Sequence, residues 1–145
     1  MIRRTLSTLT AAGLMLGAAA LTGTAPAVGS TADAAAPVTR MADLKASGDA
    51  DGSGHAMFTL NKAKKKVCAD VTWAGIAKPN AAHIHKVSDG SIFIDLSGSV
   101  TGGKKCTTGV SRNKIQKLID KPGRYYFNVH NGPYPAGAIQ GTLRK

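Results

Sequence analysis

The stretch Ala82-His83-Ile84-His85 decides how this chain is interpreted. Side chains of a β-strand alternate between faces, so His83 and His85 would share one face while Ile84 points to the other. A later stretch, Tyr126-Phe127-Asn128-Val129-His130, alternates in the same way and puts its asparagine and histidine on one face. If the two strands lie close together, three of the chain's four histidines meet on a polar patch above an apolar core.

Such a patch has the composition of a transition-metal site. Two imidazoles at positions i and i+2, joined by a third from a neighbouring strand, can give three nitrogens to Zn(II) or Cu(II) and leave one coordination position open. The candidate metal ligands are His83, His85 and His130, with His55 as a candidate fourth ligand. Asn128 and Asp95 are candidates for orienting an imidazole from behind. The alternative is structural, since histidines on a sheet can also hydrogen-bond loop backbone and fix the turn at Tyr134 and Pro135.

The rest of the chain alternates in short segments separated by glycines and prolines. The predicted strands cover residues 55–60, 66–73, 82–86, 91–96, 124–130 and 138–143. Many short alternating strands indicate an all-β fold, here an antiparallel Greek-key-like β-sandwich. One segment differs: Ser111 is placed to cap a short crossover helix with an apolar stripe at helical spacing, and Pro122-Gly123 ends it.

Cys68 and Cys106 are the only cysteines. An even pair in an exported protein indicates a disulfide. The rival interpretation, a thiolate that binds metal or acts as a nucleophile, lacks a C-x-x-C spacing or a histidine beside either cysteine.

The first 34 residues resemble an export signal, with Arg3-Arg4 at the start, an apolar run over 11–21 and Ala32-Asp33-Ala34 before the expected cut. The run is too short to span a bilayer, and no later run approaches that length. Ordinary and twin-arginine export both stay open. We therefore predict a signal peptide over 1–34, a flexible tether over 35–45 and one domain over 46–145, secreted to the cell envelope or beyond.

Nineteen basic residues against eight acidic ones give a formal net charge of +11. Such a chain is attracted to anionic surfaces, for example an anionic cell-envelope polymer. The alternative is a merely solubilising surface, because the densest lysine cluster, Lys62 to Lys66, falls in a predicted hairpin turn. Nucleic acid is not expected for an exported chain whose few aromatics are used in strands. We expect a monomer.

An enzyme is not expected. The sequence contains no glutamate, and its aspartates show no paired spacing for acid and base catalysis. It also has no nucleophile elbow and no phosphate loop.

Four motifs in order resemble the CHRD domain family, named from repeats in chordin: Gly52-Ser53-Gly54, Ala82 to His85, Tyr125 to Asn131, and Pro135 to Leu143. The resemblance covers about residues 46 to 145, and the cysteine pair resembles that of single-domain secreted bacterial members of actinobacterial type. It implies an antiparallel β-sandwich in an extracellular setting, and it implies no reaction. The first hypothesis is thus a non-catalytic module that binds an envelope polymer or an extracellular protein.

The second hypothesis is copper or zinc binding at the three histidines. The H-x-H strand, the later histidine and one disulfide are also similar to copper-zinc superoxide dismutases. That class needs a histidine that bridges two metals and a carboxylate on the zinc, so a dismutase-like activity is the minority interpretation.

Overall fold

The structure is a computed structural model that describes residues 35–103 and 105–145. The predicted signal peptide over 1–34 lies outside these residues. Within them, eight strands and one α-helix follow in chain order: β1 (Val38–Ala46), β2 (Ser53–Asn61), β3 (Lys66–Ala74), β4 (Pro79–Lys86), β5 (Ile92–Asp95), β6 (Cys106–Thr108), α1 (Arg112–Asp120), β7 (Tyr125–Asn131) and β8 (Ile139–Thr142). Short 3-10 turns cover Ser97–Ser99 and Pro122–Arg124.

The strands form because apolar residues recur at every second position. In β2 the side chains of Ala56, Phe58 and Leu60 are fully buried, while the residues between them are partly or fully exposed. In β4 the same alternation buries Ala82 and Ile84. Period-two burial directs one face of each of these two strands toward the core, as the sequence predicts.

All pairings in the sheet are antiparallel, in the order β5-β4-β7-β8-β1-β2-β3-β6. The sheet curls until distant strands pack against each other, since the rings of Phe58 in β2 and Phe127 in β7 meet edge to face with centroids 5.1 Å apart. The two outermost strands of the sheet, β5 and β6, also contact each other. The Thr107 hydroxyl in β6 donates to the Asp95 carbonyl oxygen in β5 at 2.6 Å. The predicted antiparallel all-β fold is confirmed.

The predicted flexible tether over 35–45 is wrong. Residues 38–46 form β1, which lies between β8 and β2 and therefore has hydrogen-bonded neighbours on both sides. Arg40, Ala42 and Leu44 point inward and are buried. Two of these three residues are an arginine and an alanine, so the apolar alternation in the sequence is weak. The folded domain accordingly begins before residue 46.

The helix and the disulfide agree with their predictions. Ser111 Oγ accepts a hydrogen bond from the Lys114 backbone N–H, which caps α1, and Ile115 and Leu118 are buried against the sheet. Cys68 in β3 and Cys106 in β6 are directly opposite each other and form the disulfide. No helix in the described part of the chain is long and apolar enough to cross a membrane.

Candidate metal centre

The three histidines of the sequence prediction meet on the outer face of the sheet. His83 and His85 lie on β4, and His130 lies on β7, the strand that pairs with it. Their strand neighbours Ile84 and Val129 are fully buried in the core, so the alternation fixes all three imidazoles on the opposite face.

The rings are close enough to share one ion. One nitrogen from each of His83, His85 and His130 lies within 4.8 Å of the other two. The closest contact is 3.1 Å, between His83 Nδ1 and His130 Nε2. Nitrogens bound to one ion at about 2 Å would lie at about 3 Å from each other. The described residues include no other group of three histidine, cysteine or carboxylate side chains with this proximity.

Two backbone carbonyls fix two of the rings. His85 Nδ1 lies 2.9 Å from the Gly90 carbonyl oxygen, and His130 Nδ1 lies 3.0 Å from the Pro135 carbonyl oxygen. A carbonyl oxygen only accepts, so each Nδ1 carries the proton and each neutral ring has its lone pair on Nε2. A hydrogen bond of this kind orients the imidazole and sets the tautomer that binds metal.

The Nε2 lone pair of His85 has no hydrogen-bond partner in the part of the chain that the structure describes. His85 is only 8% exposed, and its Nε2 atom is buried without a hydrogen-bond partner among the described residues. The His130 lone pair instead faces His83 Nδ1, so His83 must donate from Nδ1 in this arrangement. An unpartnered buried nitrogen costs free energy, and a cation at the centre of the cluster would remove that cost.

The environment disfavours the protonated forms of His83 and His130. Burial lowers the pKa of His83, the positive charges of His130 and His85 would lower it further, and only the Asp95 carboxylate opposes them. Burial also lowers the pKa of His130. The hydrogen bond to the Pro135 carbonyl opposes this shift, and the positive charge of His85 adds to it. Neutral imidazoles are the form that binds metal, so protons compete weakly for these two ligands.

Asp95 and Asn128, the predicted orienting residues, support the cluster differently. Asp95 Oδ1 lies 3.8 Å from His83 Nε2, which is too long for a hydrogen bond but close enough to act through charge. Asn128 Nδ2 donates to the Ala136 carbonyl oxygen at 3.0 Å. It thus holds the loop that carries the neighbouring Pro135 carbonyl, the partner of His130.

The prediction that His55 is a fourth ligand is wrong. His55 lies on β2, which β8 and β1 separate from β7 in the sheet, and its Nδ1 atom pairs with Asp43 Oδ1 at 3.0 Å. Asp43 belongs to β1. Because this segment was predicted to be a flexible tether, Asp43 was not expected to be a partner of His55.

One residue of the site, Gly90, was not identified from sequence. It acts through its backbone carbonyl, which every residue has, so no side-chain pattern marks it. Tyr126 lies on the outer face of β7 and stacks on the His85 ring, with centroids 5.1 Å apart and planes 14° from parallel. Its place on the histidine face, opposite to that of Tyr125, follows from the alternation of β7.

Comparison with known proteins gives a match to a family model. The family model described as the CHRD domain matches residues 18–143. This match starts before residue 46 and includes β1, in agreement with the structure. No curated protein and no solved structure matches the chain.

Proposed function

Because the chain belongs to the CHRD domain family, we propose that it is a non-catalytic extracellular module, and that it binds a single copper or zinc ion through His83, His85 and His130. The observation that supports metal binding best is the buried Nε2 of His85, which lacks a hydrogen-bond partner among the described residues. It belongs to a cluster in which one nitrogen of each imidazole lies within 4.8 Å of the other two.

The ligand atoms follow from the hydrogen bonds. His85 and His130 would bind through Nε2, because their Nδ1 protons are held by carbonyl oxygens. His83 would bind through Nδ1, the atom that lies beside His130 Nε2. Its proton would then reside on Nε2, which faces the Asp95 carboxylate. Each ligand would therefore have an oxygen behind its distal nitrogen, as protein metal sites usually provide.

The choice of metal rests on the donors. Three neutral imidazoles suit Cu(II) and Zn(II), and for one set of nitrogen donors copper binds more tightly than zinc. The oxygen-rich sets that magnesium and calcium require are not available from three imidazoles.

We propose a binding role because Asp95, the carboxylate beside His83, is poorly suited to act as a general base. Asp95 accepts a hydrogen bond from the Ser97 N–H at 2.8 Å, and this bond lowers its pKa. A general base should have a pKa near the working pH, whereas Asp95 is a weaker base than an ordinary aspartate.

The test is a titration of the protein, purified without a histidine tag, with Cu(II) and with Zn(II). We expect one ion per chain for the tighter metal and an affinity at least about a hundredfold lower in His85→Ala, because one of three ligands is lost. The matched control is His55→Ala, which removes the fourth histidine of the chain and leaves the cluster intact. Equal affinities in the two variants, each shown to be folded, would refute the proposal.

A further inference from the structure

A second feature is a furrow whose lining includes none of the histidines. The furrow, of about 620 Å³, runs between the end of α1, the turn at Pro122–Arg124 and the turn that follows β4. Its lining includes four cationic side chains, Lys86, Lys117, Lys121 and Arg124, and a single carboxylate, Asp120.

The acidic residues near the furrow do not neutralise it. The Asp120 carboxylate accepts a hydrogen bond from the Gln116 amide at 2.8 Å. Lys86 pairs with Asp89 at 3.3 Å, at the rim. Lys117, Lys121 and Arg124 make no ion pair with any carboxylate in the described residues. Asp120 offsets only one of these three cations, so the concave surface keeps a net positive charge.

The helix alone does not explain this arrangement. Lys117 lies in the last turn of α1 and Lys121 directly follows it, where the helix dipole favours positive charge. Lys86 and Arg124, however, come from β4 and from the separate turn before β7. The dipole gives no reason for these two to line the same furrow. Like charges brought together from three segments indicate an anionic partner.

We propose that this furrow binds a stretch of a linear phosphate polymer. Lysine and arginine side chains bind phosphate oxygens strongly, and a chain of phosphates would contact several of them at once. The aromatic residue of the lining, Tyr125, is buried in the core and offers no exposed ring on which a sugar or a base could stack. Recognition would therefore depend on charge, which favours a partner with closely spaced anionic groups.

Binding should be measured with long-chain polyphosphate at low salt, using the same protein in the presence of a metal chelator. We expect Lys117→Gln/Lys121→Gln to weaken binding by about tenfold and to reduce the slope of log K against log salt by about one to two. The matched control is Lys64→Gln/Lys78→Gln, which removes the same charge from two exposed lysines outside the furrow. We expect it to change the affinity by less than about twofold.

Three results would overturn the proposal: no binding of polyphosphate at low salt, equal losses in the two double variants, or equally tight binding of polygalacturonate, which carries carboxylates instead of phosphates. The first two would remove the furrow as a site, and the third would remove phosphate as its ligand. The chelator and a parallel measurement on His85→Ala separate this test from metal binding, because both should leave polyphosphate affinity unchanged.

Discussion

His83 Nδ1 lies 3.1 Å from His130 Nε2, although 47 positions separate the two residues in sequence. One of these nitrogens must carry a proton, since two lone pairs at this distance would repel each other. The Pro135 carbonyl holds the His130 proton on Nδ1, so the contact requires the proton on His83 Nδ1. A metal ion at the centre would displace that proton, so the tautomer of His83 would show whether a metal ion is bound.

This relationship gives a prediction for the metal-free protein. Near neutral pH, His83, His85 and His130 should all be protonated on Nδ1 and unprotonated on Nε2. Addition of Zn(II) should move the His83 proton to Nε2 and leave the other two tautomers unchanged. Long-range 1H–15N correlation spectra distinguish the tautomers. An Nε2-protonated His85 or His130 in the metal-free protein would contradict the assignment of ligand atoms.

The loop behind His130 should be sensitive to a single methyl group. Gly137 has a φ of +131°, and a Cβ there would collide with the Asn128 amide. We expect Gly137→Ala to lower the free energy of unfolding by about 1–3 kcal/mol, because the residue would be strained in its backbone and displaced from Asn128. Metal affinity should also fall, since the Pro135 carbonyl that orients His130 would move.

Gly132→Ala is the matched control for Gly137→Ala. It lies in the same loop, and a Cβ there would meet nothing within 4 Å. Urea denaturation and a zinc titration of both variants check the prediction. A Gly132→Ala protein as unstable as Gly137→Ala would show that the loop tolerates no substitution, for a reason other than the contact with Asn128.

Removing the disulfide should destabilise the domain. Cys68 and Cys106 are 38 positions apart. Closing a loop of this length contributes about 4 kcal/mol in the chain-entropy model, which is a large part of the stability of a small domain. The Cys68→Ala/Cys106→Ala variant should therefore unfold at a clearly lower urea concentration than the oxidised protein. The single variant Cys68→Ala should lose about as much stability as the pair, and a double variant of unchanged stability would contradict the prediction.

Acid should weaken the turn between β4 and β5. Hydrogen bonds from the Ser91 hydroxyl and backbone N–H, with a smaller effect of Lys86, lower the pKa of Asp89 from 3.8 to about 2. A carboxyl whose pKa is lower in the folded state binds fewer protons there than in the unfolded chain. Its contribution to stability is therefore present above pH 3.8 and is lost as the pH falls toward 2.

Asp89→Asn should make stability less dependent on pH in this range, as measured by urea denaturation at several pH values. Ser91→Ala removes the hydroxyl that donates to the Asp89 carboxylate and should reproduce part of the change. A pH dependence identical in the wild type and in Asp89→Asn would contradict the assignment. The turn also carries the Gly90 carbonyl that holds His85, so weaker metal binding in acid is a related expectation.

How much of this could be predicted from sequence depends on how local the signal is. Alternation within β4 and β7 is a property of neighbouring residues, and it correctly put the three histidines on one face. The Ser111 cap and the apolar stripe of α1 are local in the same sense. In β1, by contrast, Arg40 and Ala42 occupy inward positions, and the Arg40 guanidinium donates to the Ile119 carbonyl oxygen near the end of α1. No residue close to Arg40 in sequence indicates that contact.

The sequence by itself determined the strand faces, the capped helix, the cysteine pair and the histidines that could meet, because period-two burial and capping depend only on near neighbours. The tertiary structure decided which strands became neighbours. It inserted β1 between β8 and β2, paired His55 with Asp43, and brought the Gly90 and Pro135 carbonyls behind two imidazoles. Such contacts join segments whose order in the sheet is set by burial of the whole core, so no short stretch of residues specifies them.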